Sequence, residues 1–129
     1  MWSYRCYDDG KPGCPWQRWY DENPDFQGSH DSVFDTLEGL NNWGPPEADI
    51  LDKDNRIIEV RLSGKVKHRL LGFYGGTRYE FVIVGFCYHK QRNYYPPAIK
   101  NTVVKRKRAI ENDAKRAKSC TRPQQARKV

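Results

Sequence analysis

Long apolar runs are missing from this chain. No stretch approaches the length a helix needs to cross a bilayer, so no membrane partner is expected. The opening Met1-Trp2-Ser3-Tyr4-Arg5-Cys6 lacks the extended apolar segment of a secretory leader, and a cytoplasmic location is expected. Cys-x-x-Cys is absent too. The four cysteines, Cys6, Cys14, Cys87 and Cys120, match no metal-ligand spacing, so neither a metal nor another cofactor is expected. Cys87 sits in an apolar segment as a small core residue. A Cys6–Cys14 bridge is an open pairing, weighed against a reducing compartment. The chain also lacks the aspartate-glutamate cluster of a two-metal nuclease, and it has no internal repeats.

What is present is aromatic and unevenly charged. The 129 residues hold 37% hydrophobic side chains with 4 Trp, 8 Tyr and 5 Phe, enough for one folded domain with a modest core. The net charge of +7 hides an asymmetry. Residues 1–55 carry four Lys and Arg against twelve carboxylates, a net of −8, whereas residues 56–129 carry nineteen against four, a net of +15. A polyanion surface built from the second half is the direct inference. Solvated charge on helices explains part of the excess, but not arginines placed within strands.

The organising stretch is Ile57 to Lys90. Ile57 to Leu62, Val66 to Tyr74 and Tyr79 to Lys90 read as three antiparallel strands joined at Ser63-Gly64-Lys65 and Gly75-Gly76-Thr77. With a three-residue first turn, Ile58, Val60, Leu62, Val66 and Leu70 share one face. Glu59, Arg61, Lys67 and Arg69 share the other. The third strand is apolar on both faces, which suits a central position. Ahead of this meander, Trp2 to Tyr7 reads as a strand and Pro15 to Tyr20 as a short helix. A second helix starts at Ser29 or Asp31 and runs to about Asn42, with Val33, Phe34, Leu37 and Leu40 as its buried stripe. Glu47 to Asn55 and Gln91 to Tyr95 read as loops. A long helix opens at Pro96-Pro97 and reaches about Lys118, with Ile99, Val103, Ile110, Ala114 and Ala117 as a loose seam. Residues 1–118 are expected to form one domain and residues 119–129 a basic flexible tail. The fold class is α+β, a twisted and mainly antiparallel sheet with the two N-terminal helices on one face and a basic C-terminal helix.

Metal-free RNA cleavage needs a base for the 2′-OH, a cation for the transition state and an acid for the leaving oxygen. Arg61 and Arg69 suit the cation role, since guanidinium pairs bidentately with phosphate. Arg61 has a competing use in pairing with Glu59 or Glu80. His89 exchanges protons near neutrality, and Lys90 would do so with its pKa depressed by neighbouring cations. Which of the two is the base stays open. Lys67, Tyr88, Arg92 and the run Lys105, Arg106, Lys107, Arg108 are the candidate substrate contacts, with Tyr88 able to stack on a base. His68 alternates onto the apolar face and reads as a core or edge histidine. Tyr94 and Tyr95 either stack on bases or pack against the helix.

The ordered set of elements resembles toxins of the RelE/ParE superfamily, with HigB-like and phage-derived host-nuclease-inhibitor-like members nearest. The resemblance spans roughly residues 2–118. Leu40 and Gly44 followed by Leu51 resemble the family's helix-loop into its meander. Ile58-Glu59-Val60-Arg61 resembles its Glu-Leu-Arg strand, and His68-Arg69-Leu70-Leu71 its second arginine strand. Phe86 to Lys90 with Pro96 and a basic helix resembles its Phe-x-Lys-Lys segment and closing helix. Where many members carry Lys-Lys, this chain has Tyr88-His89-Lys90. The resemblance implies a type II toxin, an endoribonuclease that cuts mRNA, often on the ribosome, and thereby inhibits translation. It also implies a cognate antitoxin carrying a helix-turn-helix DNA-binding domain. The alternative reading is a non-enzymatic phage or host effector that binds nucleic acid or inhibits a host nucleic-acid enzyme.

Overall fold

The structure, a computed structural model, describes residues 1–124. Three helices accompany a mostly antiparallel seven-stranded sheet, an open α+β arrangement. In chain order the elements are β1 (Ser3–Tyr7), α1 (Pro15–Glu22), α2 (Gln27–Glu38), β2 (Ala48–Asp52), β3 (Ile57–Leu62), β4 (Lys67–Tyr74), β5 (Glu80–Lys90), β6 (Asn93–Tyr95), α3 (Ile99–Asn112) and β7 (Ala117–Cys120). The sheet order is β2-β3-β4-β5-β1-β7. One edge of β5 carries two partners. Its first residues pair in parallel with β1, and Tyr88 to Lys90 pair antiparallel with β6. The meander expected from the face pattern is present, with β5 central.

The sheet is covered on both faces, by different helices. On one face Trp16 of α1 and Phe34 and Leu37 of α2 pack against Ile58, Val60, Leu62 and Leu70. On the other, Ile99, Val103 and Ile110 of α3 pack against Leu71, Phe73, Val82 and Val84. Gly85 makes the close approach of α3 possible, because a Cβ there would lie 2.7 Å from a Val103 methyl. Long apolar strands such as β4 and β5 are what a sheet buried from both sides requires.

A bulge sets the polarity of β5. Leu71 pairs with Gly85 while Gly72 pairs with Ile83, so Val84 is the extra residue. Val84 and Gly85 therefore both face α3. Beyond the bulge Phe86, Tyr88 and Lys90 share the α1/α2 face, and Cys87 and His89 share the α3 face.

Several expectations need correction. Residues 48–52 form β2 rather than a loop, since backbone pairing with β3 organises them although Ile50 stays exposed. Residues 93–95 form β6, not a loop. The α2 helix ends at Glu38, leaving Leu40 exposed outside the stripe. Val66 precedes β4 and is 43% exposed, so it is not part of the apolar face. The α3 helix stops at Asn112, because Asp113 turns extended and its carboxylate accepts from the Lys115 N–H. Ala114 is exposed, and Ala117 joins the core from β7 instead.

The expected domain end at 118 falls inside β7, which pairs with β1. Arg122 follows, its side chain only 7% exposed and bonded to Asp35 and Glu38. Residues 119–124 are thus part of the folded body. The rest of the expected tail, residues 125–129, lies outside the described residues.

Candidate nucleic-acid interface

The register brings the strand arginines together. Arg61 on β3 sits directly opposite Arg69 on β4, and Arg69 opposite Cys87 on β5. The next row outward is Lys67, His89 and Tyr94, across β4, β5 and β6. Arg61, Arg69, Lys67 and His89 consequently share the α3 face of the sheet. Arg61, Lys67 and Arg69 line one recess of about 380 Å³, together with Pro46, Glu47 and the Leu62-Ser63-Gly64 turn. Three cations therefore line the recess, and the Glu47 carboxylate lines it with them.

A buried carboxylate holds the arginines. Glu59 is 5% exposed and accepts from Arg61 Nε at 3.1 Å. The Arg61 Nη2 lies 3.0 Å from Glu59 and donates to Asp49 at 3.1 Å. Arg69 Nε stands 3.9 Å from Glu59 and makes no hydrogen bond, although it is buried. Its Nη1 donates to the His68 carbonyl at 3.1 Å. The Tyr94 hydroxyl donates to the other Glu59 oxygen. Burial, followed by that bond to Glu59, pushes the Tyr94 hydroxyl above its ordinary pKa. Burial and then the Glu59 charge push the Cys87 thiol up to about 12, so it stays neutral. Tyr94 in turn packs against the His89 ring at 4.9 Å between centroids, and Lys100 Nζ lies 5.5 Å from its centroid.

Not every expected site residue joins this group. Lys90 and Tyr88 lie on the α1/α2 face of β5, separated by the sheet from the arginines. Tyr88 stacks on Tyr95 there, 5.1 Å apart and 15° from parallel, and is 41% exposed. Arg92 stands at the tip of the two-residue β5–β6 turn, where Gln91 and Arg92 both adopt positive φ. Within the helix run, Arg106 donates to the Val84 carbonyl at 2.7 Å and covers the Tyr7 ring. Lys107 donates to the Asn55 carbonyl and lies 5.4 Å from the Phe73 ring centroid. These two cations serve the fold, while Lys105 and Arg108 are exposed to solvent. His68 sits among Trp19 and Phe26 as a partly buried residue, with its pKa lowered by burial.

Sequence reasoning missed Glu59 as the hub, and with it Tyr94 and Lys100 as neighbours of the site. The signal for Glu59 was its place beside Arg61 on a strand whose other residues are buried. It also missed a second constellation at the opposite edge of the sheet, where Cys6, Cys14 and Cys120 converge. Spacing along the chain gave no sign of it, because the three come from β1, the residue capping α1, and β7. Hydrogen bonding with Cys120 and Cys6 holds the Cys14 thiol down to about 3, and bonding to Cys14 lifts Cys120 to about 12. Hydrogen bonds to Cys120 and Cys14, with burial, push Cys6 up as well.

Compared with protein-family models, with curated proteins and with solved structures, the chain matches none.

Proposed function

We propose that the chain is an RNA-cleaving protein that binds a phosphate in the Arg61–Lys67–Arg69 recess and transfers protons through His89, without a metal at that site. The observation that supports it best is the shared recess: three cations from two strands line it, with His89 opposite Lys67 in the strand register. Arg61 and Arg69 would stabilise the charge that develops on the scissile phosphate. Glu59 fixes Arg61 and leaves the Nε of Arg69 without a hydrogen-bond partner. His89 is the better base candidate of the two expected, because Lys90 projects from the opposite face. The Tyr88–Tyr95 stack gives a platform for a base of a strand wrapping the β5–β6 edge.

The RelE/ParE resemblance extends the reading to a toxin that cuts messenger RNA under the control of an antitoxin. An acidic segment of that partner would compete with RNA for the recess. A second reading, a non-enzymatic nucleic-acid binder or effector, is favoured by one observation. Arg69 is only 9% exposed, and both arginines already face Glu59.

The test is to incubate a single-stranded RNA with the protein, with and without EDTA, and to identify the new ends. Cleavage through the 2′-OH leaves a 2′,3′-cyclic phosphate in both conditions. Arg69→Gln and His89→Ala should each lower the rate on the order of 10²-fold with unchanged circular dichroism. RNA left intact by folded wild-type protein, but retained in a gel shift, would transfer the assignment to the binding reading.

A further inference from the structure

We propose that Cys6, Cys14 and Cys120 form a trithiolate site for a thiophilic divalent ion of the Zn²⁺ class. Their Sγ atoms all lie within 4.8 Å of one another, and the Cys6–Cys14 separation is 2.8 Å. Zinc binds thiolates at about 2.3 Å in tetrahedral geometry, which places ligand sulfurs roughly 3.8 Å apart. The Cys6–Cys14 pair stands about 1 Å closer than that. A rotation of the half-buried Cys14 side chain is the adjustment that would centre an ion among the three.

The surroundings suit an ion better than a packed thiol cluster. Cys6 is fully buried at the inner side of the group. Cys14 and Cys120 line a recess with Gln17, Lys118 and Thr121, which gives an entry path and opens the fourth position of a tetrahedral ion to solvent. Three thiolates around a divalent cation carry one net negative charge. Lys118 stands beside them, its ammonium 3.7 Å from Asp8 and donating to the Lys11 carbonyl. A disulfide would use two of the sulfurs and leave the third idle. Binding forms three S–metal bonds, and each S–H that remains gives its proton to solvent. The three ligands belong to elements 8 and more than 100 residues apart, so the ion would lock β7 and the start of α1 onto β1.

The experiment uses the full chain, reduced with a non-chelating phosphine, freed of metal and titrated with Co²⁺ as a spectroscopic stand-in for Zn²⁺. We expect one equivalent to bind with the near-ultraviolet charge-transfer band of thiolate-bound cobalt, and Zn²⁺ to displace it. Cys14→Ser and Cys120→Ser replace half-buried residues and should keep the fold, as judged by circular dichroism. Each should weaken binding by about 100-fold or more, since even outer partners of metal ligands are worth about 10- to 100-fold. Cys87→Ser, on the far side of the sheet, should bind as wild type does. Absence of the band in reduced, folded wild-type protein would overturn the proposal. So would a wild-type affinity in both Cys14→Ser and Cys120→Ser. None of these outcomes depends on whether the protein cleaves RNA.

Discussion

His30 should make the fold acid-sensitive well above the carboxylate range. The imidazole is fully buried on α2 between Trp16, Tyr20 and Phe34. Its Nε2 accepts from the Trp16 indole N–H at 3.0 Å, and indole can only donate, so the proton resides on Nδ1 and faces Asp31 at 2.9 Å. A second proton would have to enter at Nε2, against the indole N–H. Burial lowers the pKa from 6.5 to about 4, against the opposing pull of Asp31. The folded state thus binds this proton more weakly than the unfolded chain. Stability is unaffected above pH 6.5, falls as pH drops from there towards 4, and loses nothing more once both states are protonated. At 1.36 kcal/mol per unit, the full loss is about 3 kcal/mol, a large part of the 5–15 kcal/mol typical of a domain. The check is urea unfolding from about pH 7.5 down to about pH 4.5, for wild type and His30→Gln. Glutamine can accept from Trp16 and donate to Asp31 without titrating. The variant should be less stable at neutral pH yet lose much less between the two ends. His68, also lowered by burial, adds a smaller slope of the same sign to both proteins. Parallel stability curves for the two proteins would refute the reasoning.

Three further outcomes rest on the packing and the charges. Gly72→Ala should destabilise by about 2–4 kcal/mol in the same urea assay, since its Cβ would lie 2.3 Å from the Val82 carbonyl and 2.7 Å from the Phe81 ring. For the α3 helix, Lys105→Ala with Arg108→Ala should flatten the salt dependence of RNA binding at unchanged stability, because both are exposed cations. Arg106→Ala should instead lower the melting temperature, having removed a 2.7 Å hydrogen bond to the β5 backbone.

The meander was legible because Ile58, Val60 and Leu62 alternate with charged residues, and a period of two has few competing explanations. That pattern also placed Arg61 and Arg69 on one face, as their opposed register has it. The polarity of the far end of β5 was not legible. Phe81 to Phe86 is apolar throughout, so no alternation marks where Val84 bulges, and that bulge decides that His89 rather than Lys90 faces the arginines. β6 and β7 escaped notice because three and four residues are too few to display a period, and β2 because its burial does not alternate. The polar, basic composition of residues 119–129 read as a tail, whereas Arg122 is buried against acids that α2 supplies. The thiol cluster was hidden for a related reason: its members meet only through the pairing of β1 with β7.

That pairing has a consequence for how the chain comes to be folded. β1 is made well before its partners, which are residues 80–83 on one side and 117–120 on the other. It can neither nucleate a hairpin nor settle into the sheet until residues 80–83 exist. Even then its outer edge stays bare until β7 arrives. Such long closures slow folding relative to local contacts. In the interval the exposed strand edge, bearing Tyr4 and Cys6, is open to pairing with another copy. The arrival of β7 is therefore what closes that vulnerable period.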